Sequence, residues 1–502
     1  MAVKTPSMTH SSTIIAHLEG RSSEAALFVD DEGSASAADV LLCVESLATA
    51  LRSAGLGPTA RVCVVMPNNK QLAITALAVM SLCSFAPLDP RLTEDDYVTV
   101  LGDLQADAFI GIDNFGHAAH RAARRAGVGI IDATALPTLR AIEPAALNRV
   151  EHPSGHALLL HTSGTTARPK LVGLTEANLV SSARSVSATL HLSPADRCLN
   201  IMPLFHIHGL VGVVLASVVG GSSVELVARF DAFAFRRQLQ SPSISWTSAV
   251  PSVYRAALAR SGPTRCESLR LLRSSSAALP PTLWREMEDR FGCPVINAYG
   301  MTEASHQMTS NPLPPGERRL GTVGRSAGAE VSVLVDGVAT TAAEVTGEVV
   351  VRGPGVIDRY VSASASEASS HHHEWFRTGD LGSIDADGYL TLHGRIKEII
   401  NVAGEKVSPF EVEAALMQHP AVADAAAFAA PDRLRGEQVC VAVVFRQDVD
   451  HPSQTDLHRF AADRLASFKV PRRLVVVPAI PLGPTGKIQR TRLAQQLGLD
   501  DV

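Results

Sequence analysis

A chain of 502 residues is too long for one compact core, so two or more domains are expected; 46% hydrophobic and 19% charged residues suit a globular enzyme. The formal net charge is −5, and no basic patch is interleaved with aromatics, which gives no electrostatic reason to expect nucleic acid as a partner. No window approaches ~18 uninterrupted apolar residues, so no membrane span is expected. Seven scattered cysteines without a CxxC pair read as reduced thiols, not as a disulfide framework or a zinc site. The first residues lack the apolar run of a signal peptide, and a cytoplasmic location is the expectation.

Along the chain, apolar runs bounded by turn residues alternate with Ala-rich amphipathic stretches. Val62–Met66 reads as a buried strand, Pro67-Asn68-Asn69 as a turn and Gln71–Ser81 as a helix. Phe109–Ile112 and Gly129–Ile131 read as strands, with a helix over Ala118–Ala126 between them. Ala157–Leu160 is a strand that runs into a Ser/Thr/Gly loop, and Leu210–Val219 is a short buried helix. Strands alternating with helices predict an α/β fold with parallel-containing sheets flanked by helices.

The texture changes late. Gly347–Arg352 and Gly388–His393 are β-like. Beyond Gly394 come a helix over Pro409–Met417, strands over Ala421–Ala430 and Glu437–Phe445, and a helix over Leu457–Leu465. The expected organisation is a large domain over 1–394 and a small α+β domain over 395–502. Ser362–Ser370 reads as a surface loop, and His371-His372-His373 as solvated side chains.

The loop Thr162–Lys170 carries chemistry. Thr162, Ser163, Thr165 and Thr166 place four hydroxyls within five positions, and Gly164 lets the backbone turn and present N–H groups. Arg168 and Lys170 add positive charge. Such a loop after a strand suits a polyphosphate, although the Walker pattern GxxxxGK[ST] is absent. A plain Ser/Thr-rich turn is the bland alternative.

The run Ser-Gly-Thr-Thr-x-x-Pro-Lys resembles the signature of adenylate-forming enzymes, a superfamily that includes acyl-CoA synthetases, nonribosomal adenylation domains and beetle luciferase. Four later segments resemble its other motifs in order: Tyr299-Gly300-Met301-Thr302-Glu303, Arg377-Thr378-Gly379-Asp380, Gly394-Arg395-Ile396-Lys397 and Pro484-Thr485-Gly486-Lys487. The resemblance covers essentially the whole chain. It implies ATP, Mg²⁺ and CoA as cofactor and co-substrates, with Thr302 at the α-phosphate and Glu303 holding Mg²⁺. It further implies Asp380 at the ribose hydroxyls, Arg395 near the ribose, Lys397 at the hinge and Lys487 as a mobile catalytic lysine. Ser276, Ala277, Asn297, Ala298, Tyr299 and Gly300 would complete the nucleotide site, and Gly404 would lie on the thiol tunnel. Two positions depart from the usual pattern: Ala167 and Leu171 stand where most relatives carry glycine, which reduces backbone freedom around the loop.

For the acid, Met202–Gly209 resembles the gate region beside the acyl pocket, with His206 and His208 on one short segment. His206 is a further candidate catalytic residue. Ser248, Arg273, Ser274 and His306 complete the expected pocket, and these segments are most similar to oxalyl-CoA synthetases. A polar, cationic pocket suits a small dicarboxylate, whose second carboxylate must be paired once buried, whereas a fatty-acid ligase would line its pocket with apolar side chains. A fatty or aryl acid, transfer to a carrier-protein thiol instead of CoA, and a non-enzymatic nucleotide-binding role are the competing expectations.

Overall fold

The computed structural model describes residues 13–22, 24–134, 140–143, 152, 155–162, 170–259, 265–361, 370–446, 449–482 and 488–499. Among them the chain forms four sheets of nine, seven, six and five strands. Alternating apolar strands and capped helices build the two largest, which are mainly parallel in their interiors and antiparallel at their edges. The fold is α/β, as the alternation of elements predicts.

Local chemistry accounts for the element boundaries. The strand expected at Val62–Met66 runs Arg61–Val65, every residue buried. Asn69 then accepts a hydrogen bond from the Leu72 N–H and starts the helix Lys70–Met80. Thr175 and Asn178 form a capping box ahead of the helix Glu176–Thr189. The Asn178 amide also donates to the Pro354 carbonyl at 2.7 Å, tying that helix start to a loop beside the candidate site.

One expected element differs in kind. Leu210–Leu215 is a π-helical stretch, continued by an α-helix over Ala216–Gly220. Gly212 within it packs so closely on the His306 ring that a Cβ there would overlap the imidazole. The wider π turn is found where a helix is deformed around a site.

Val422–Asp432 and Gly436–Phe445 form a long antiparallel pair in the five-stranded sheet, which holds its own buried clusters around Val412, Leu416, Val441 and Phe428. Among the described residues, contacts that join this unit to the rest include the pair of Arg255 with Asp424 and the Ser408 hydroxyl donating to the His393 carbonyl. Ser362–Ser369 of the expected surface loop lie outside the described residues. His371 and His372 sit in a short edge strand, where His372 contacts the Gly337 carbonyl at 2.8 Å. Among the described residues, no helix is long and apolar enough to cross a membrane.

Candidate active site

The segment expected to hold polyphosphate follows one strand of an antiparallel pair and precedes the other. Strands Leu158–His161 and Leu171–Leu174 run side by side, and the Thr162 N–H donates to the Lys170 carbonyl at 2.9 Å, so the two ends of the loop are held together. Ser163, Gly164, Thr165, Thr166, Ala167 and Arg168 lie outside the described residues, as does Lys487. Leu171 is a buried strand residue at the loop's exit.

Lys170 leads to the acidic motif through a residue that sequence reasoning missed. Its Nζ sits over the Tyr360 ring, 4.3 Å from the centroid, and the Tyr360 hydroxyl donates to Glu303 Oε1 at 2.9 Å. Glu303 is buried within a 3₁₀ turn over Thr302–Ala304, and Thr302 opens that turn half-buried. The turn is pinned from behind: Ile357 N–H donates to the Glu303 carbonyl at 2.9 Å, and Ser305 Oγ donates to the Gly355 carbonyl at 2.7 Å. A hard cation such as Mg²⁺ takes oxygen ligands and is held by one or two carboxylates plus substrate phosphates. Glu303 fits that donor set. Among the described residues no cluster of three or more His, Cys, Asp or Glu could hold a metal by itself, so phosphate oxygens would have to supply the rest.

Residues expected at the nucleotide and, with Ser274, at the acid lie toward the carboxyl ends of adjacent parallel strands, the place where open α/β sheets bind ligands. Ser274 ends Leu271–Ser274 and pairs in register with Asn297 of Val295–Tyr299. Asn297 donates to the Thr322 carbonyl at 2.8 Å, while its buried Oδ1 has no partner among the described residues. An unpaired buried acceptor suits a ligand amino group. Ala298 is buried in the sheet, Ser276 is half-buried at φ 70°, and Ala277 is exposed. Gly300 has no room for a side chain, because a Cβ would collide with the His306 carbonyl.

Across the cleft, buried Asp380 takes a hydrogen bond from the Tyr299 hydroxyl and pairs with Arg395 Nε at 3.1 Å. Burial and the Asp380 charge push the Tyr299 phenol well above its ordinary range, so it stays a donor. Lys397 is exposed in the turn Ile396–Glu398. Gly404 has a local reason to be glycine: Ala403 and Gly404, at φ 53° and 96°, form the two-residue turn between Ile400–Val402 and Glu405–Val407. A Cβ added there would meet nothing within 4 Å, and the Gly404 N–H donates to Asn401 Oδ1 at 3.0 Å.

Of the residues predicted for the acid, His208, Ser248, Arg273, Ser274 and His306 are buried together, and His206 is half-buried. Ser248 and Arg273 are paired in register on neighbouring strands, so both side chains leave the same face. Arg273 is fully buried, with 0% of its surface exposed. Its Nη1 contacts Ser248 Oγ at 3.2 Å and His306 Nε2 at 3.0 Å, and its Nη2 donates to Gln307 Oε1 at 3.0 Å. His208 joins Ser248 Oγ through Nε2 at 2.7 Å and Ser276 Oγ through Nδ1 at 3.1 Å, and its ring stacks on His306 with centroids 5.1 Å apart. Ser274 and Ser275 are buried beside them with hydroxyls lacking partners among the described residues. His206 stands at the entrance to the short helix Ile207–Gly209, half-buried, its ring against Phe205.

Among the described residues the Arg273 side chain hydrogen-bonds with Ser248, His306 and Gln307, and no carboxylate pairs with it. Burial pushes its guanidinium down to about 10, which still leaves a cation at neutral pH. Gln307, which accepts from Arg273 Nη2, is a second residue that sequence reasoning missed. His306 itself is held at φ 103°, an uncommon backbone state for a residue with a side chain.

Residues 16–361 match the AMP-binding enzyme family and residues 411–487 match the AMP-binding enzyme C-terminal domain. The chain belongs to the AMP-binding enzyme family. Among its relatives in the family, the chain is 37% identical to an oxalate–CoA ligase of Arabidopsis thaliana over 470 residues, 90% of this chain and 91% of that protein. It is 41% identical to an oxalate–CoA ligase of Saccharomyces cerevisiae over 68% of this chain and 63% of that one. A sulfoacetate–CoA ligase of Cupriavidus necator is 37% identical over 89% of this chain and 90% of its own length. Among solved structures, o-succinylbenzoate CoA synthetase from Bacillus subtilis, in complex with its acyl-adenylate, matches with a TM-score of 0.83 at 26% identity, covering 96% of this chain and 98% of that one.

Proposed function

We propose that this chain is an AMP-forming acid–thiol ligase that joins oxalate, or another small acid with a second anionic group, to CoA through an acyl-adenylate. The observation that carries the choice of acid is Arg273. A fully buried cation with no carboxylate partner among the described residues raises the positive potential of its surroundings, because a low-dielectric interior screens it weakly. A second anionic group in that pocket compensates the charge, and an alkyl chain does not. Relatives that act on oxalate and on sulfoacetate, both small and doubly anionic, support the same reading.

In the first half of the reaction a carboxylate oxygen attacks the α-phosphorus of ATP and the bond to pyrophosphate breaks. Bound Mg²⁺ supplies neutralisation of phosphate charge, and Glu303 is the residue we assign to hold it. Thr302 donates to the α-phosphate, Asp380 accepts from the ribose hydroxyls, and the lysines at 170 and 487 add point charges to the phosphates. The protein's work is alignment and charge stabilisation. In the second half the CoA sulfur attacks the acyl carbon and AMP leaves. We place the domain boundary between Gly394 and Arg395, which puts Lys487 and Gly404 on the small domain, and we place the reaction in the cytoplasm.

The test is product analysis. With ATP, Mg²⁺, oxalate and CoA, mass spectrometry should show oxalyl-CoA and AMP in equal amounts. AMP release that requires a carrier protein and ignores CoA would overturn the acceptor.

A further inference from the structure

Arg273 has no exposed surface, so its influence on a bound acid passes through its neighbours. The hydrogen bonds around it have a direction that can be worked out atom by atom. A guanidinium has only donors. The two hydrogens on Arg273 Nη1 go to Ser248 Oγ and to His306 Nε2. His306 Nε2 therefore accepts, and its ring proton sits on Nδ1.

Ser248 Oγ accepts from Arg273 and also lies 2.7 Å from His208 Nε2. Its own hydrogen goes to an acceptor, because the hydroxyl is fully buried and a buried O–H left without a partner is costly. Among the described contacts of that hydroxyl, His208 Nε2 is the acceptor left to it. His208 then carries its proton on Nδ1 and donates to Ser276 Oγ at 3.1 Å. Ser276 is half-buried at the outer end of the chain, and having accepted from His208 it turns its hydrogen elsewhere.

We propose that Arg273 is a positioning residue that, through Ser248, fixes the protons of His208 and His306 on Nδ1 and makes the Ser276 hydroxyl an outward donor toward an acceptor oxygen of the bound acid. Gln307 holds the far side of the guanidinium, and its amide is oriented by donation to Thr189 Oγ1 at 3.1 Å. The role of Ser276 rests on the assignment of this pocket to the acid; the proton positions do not. Which ring nitrogen of a histidine holds the proton is set by the partner of the other nitrogen, so removing a link should release the ring behind it.

The experiment is long-range ¹H–¹⁵N correlation on full-length protein labelled at histidine, with the two rings assigned through His208→Asn and His306→Asn. In the unsubstituted protein both rings should show a protonated Nδ1 and a bare Nε2. Ser248→Ala should release His208 into the Nε2–H form or a mixture while His306 keeps its Nδ1 proton. It should also raise the KM for the acid about tenfold with the KM for ATP unchanged. Arg273→Met should release both rings. If Arg273→Met fails to fold, the first two spectra still decide the matter. An Nε2–H or a doubly protonated ring at either position in the unsubstituted protein overturns the proposal, and so does an unchanged His208 in Ser248→Ala. The expected proton positions together with inactivity toward oxalate would refute the substrate assignment and leave this proposal standing.

Discussion

Replacing Gly300 with alanine is expected to lower ATP–pyrophosphate exchange about 100-fold, the scale on which a 1 Å displacement of reacting groups acts. A Cβ there would come far inside the 3.0 Å that real side chains keep, against the His306 carbonyl, with Gln307 Cα another 3.3 Å contact. These are backbone atoms and cannot rotate away. The segment they belong to is fastened on both sides: His306 N–H donates to the Met301 carbonyl, Ser305 to Gly355, and Ile357 to Glu303. Making room therefore moves Thr302, Glu303 and His306 together, which disturbs the nucleotide side and the acid side at once. Gly57→Ala is the matched control, because an added Cβ at Gly57 meets nothing within 4 Å. Exchange rate and thermal midpoint, measured on both variants, separate misplacement from unfolding. Normal exchange in Gly300→Ala would contradict the geometry.

Glu303→Gln is expected to lower kcat by about 100- to 1,000-fold, because a neutral amide replaces the carboxylate assigned to the metal and metal assistance is worth several kcal/mol. The substitution is nearly isosteric, and the amide oxygen can still accept from Tyr360, so the fold should be kept. Two features distinguish metal holding from packing. Raising Mg²⁺ should recover part of the lost rate in the variant, and Tyr360→Phe, which removes the hydroxyl and leaves the ring under Lys170, should cost much less. A Glu303→Gln enzyme with the usual Mg²⁺ dependence would refute the assignment.

Much of the candidate site could be proposed from the sequence because the chemistry it rests on is local. The hydroxyl-rich run after Leu158–His161, the acidic residue in Tyr299–Glu303 and Asp380 after a glycine each announce themselves within a few residues. The helix start after the expected turn Pro67-Asn68-Asn69 was legible for the same reason, since Asn69 caps a helix that begins one residue later. What stayed hidden depends on register and on distance along the chain. Ser248 and Arg273 share a face only because their strands pair 248 with 273. Tyr360 reaches Glu303 across 57 positions, and Gln307 reaches Arg273 across 34; neither residue type marks itself as functional. The π turn at Leu210–Leu215 is invisible to helical periodicity, and the His306 ring that packs against its Gly212 is 94 positions away in sequence. Gly404 shows the converse. Its glycine is explained by a two-residue turn, which no motif comparison is needed to justify.

The central claim joins an adenylating site to a pocket for a doubly anionic acid, and an acid panel in the ATP–pyrophosphate exchange assay tests it most directly. With oxalate, malonate, acetate, a medium-chain fatty acid and a hydroxycinnamate compared at equal concentration, oxalate should drive exchange most strongly and the monoacids hardly at all. Exchange driven by the fatty acid or the hydroxycinnamate, with oxalate silent, would contradict the reading of Arg273 and its neighbours as an anion pocket.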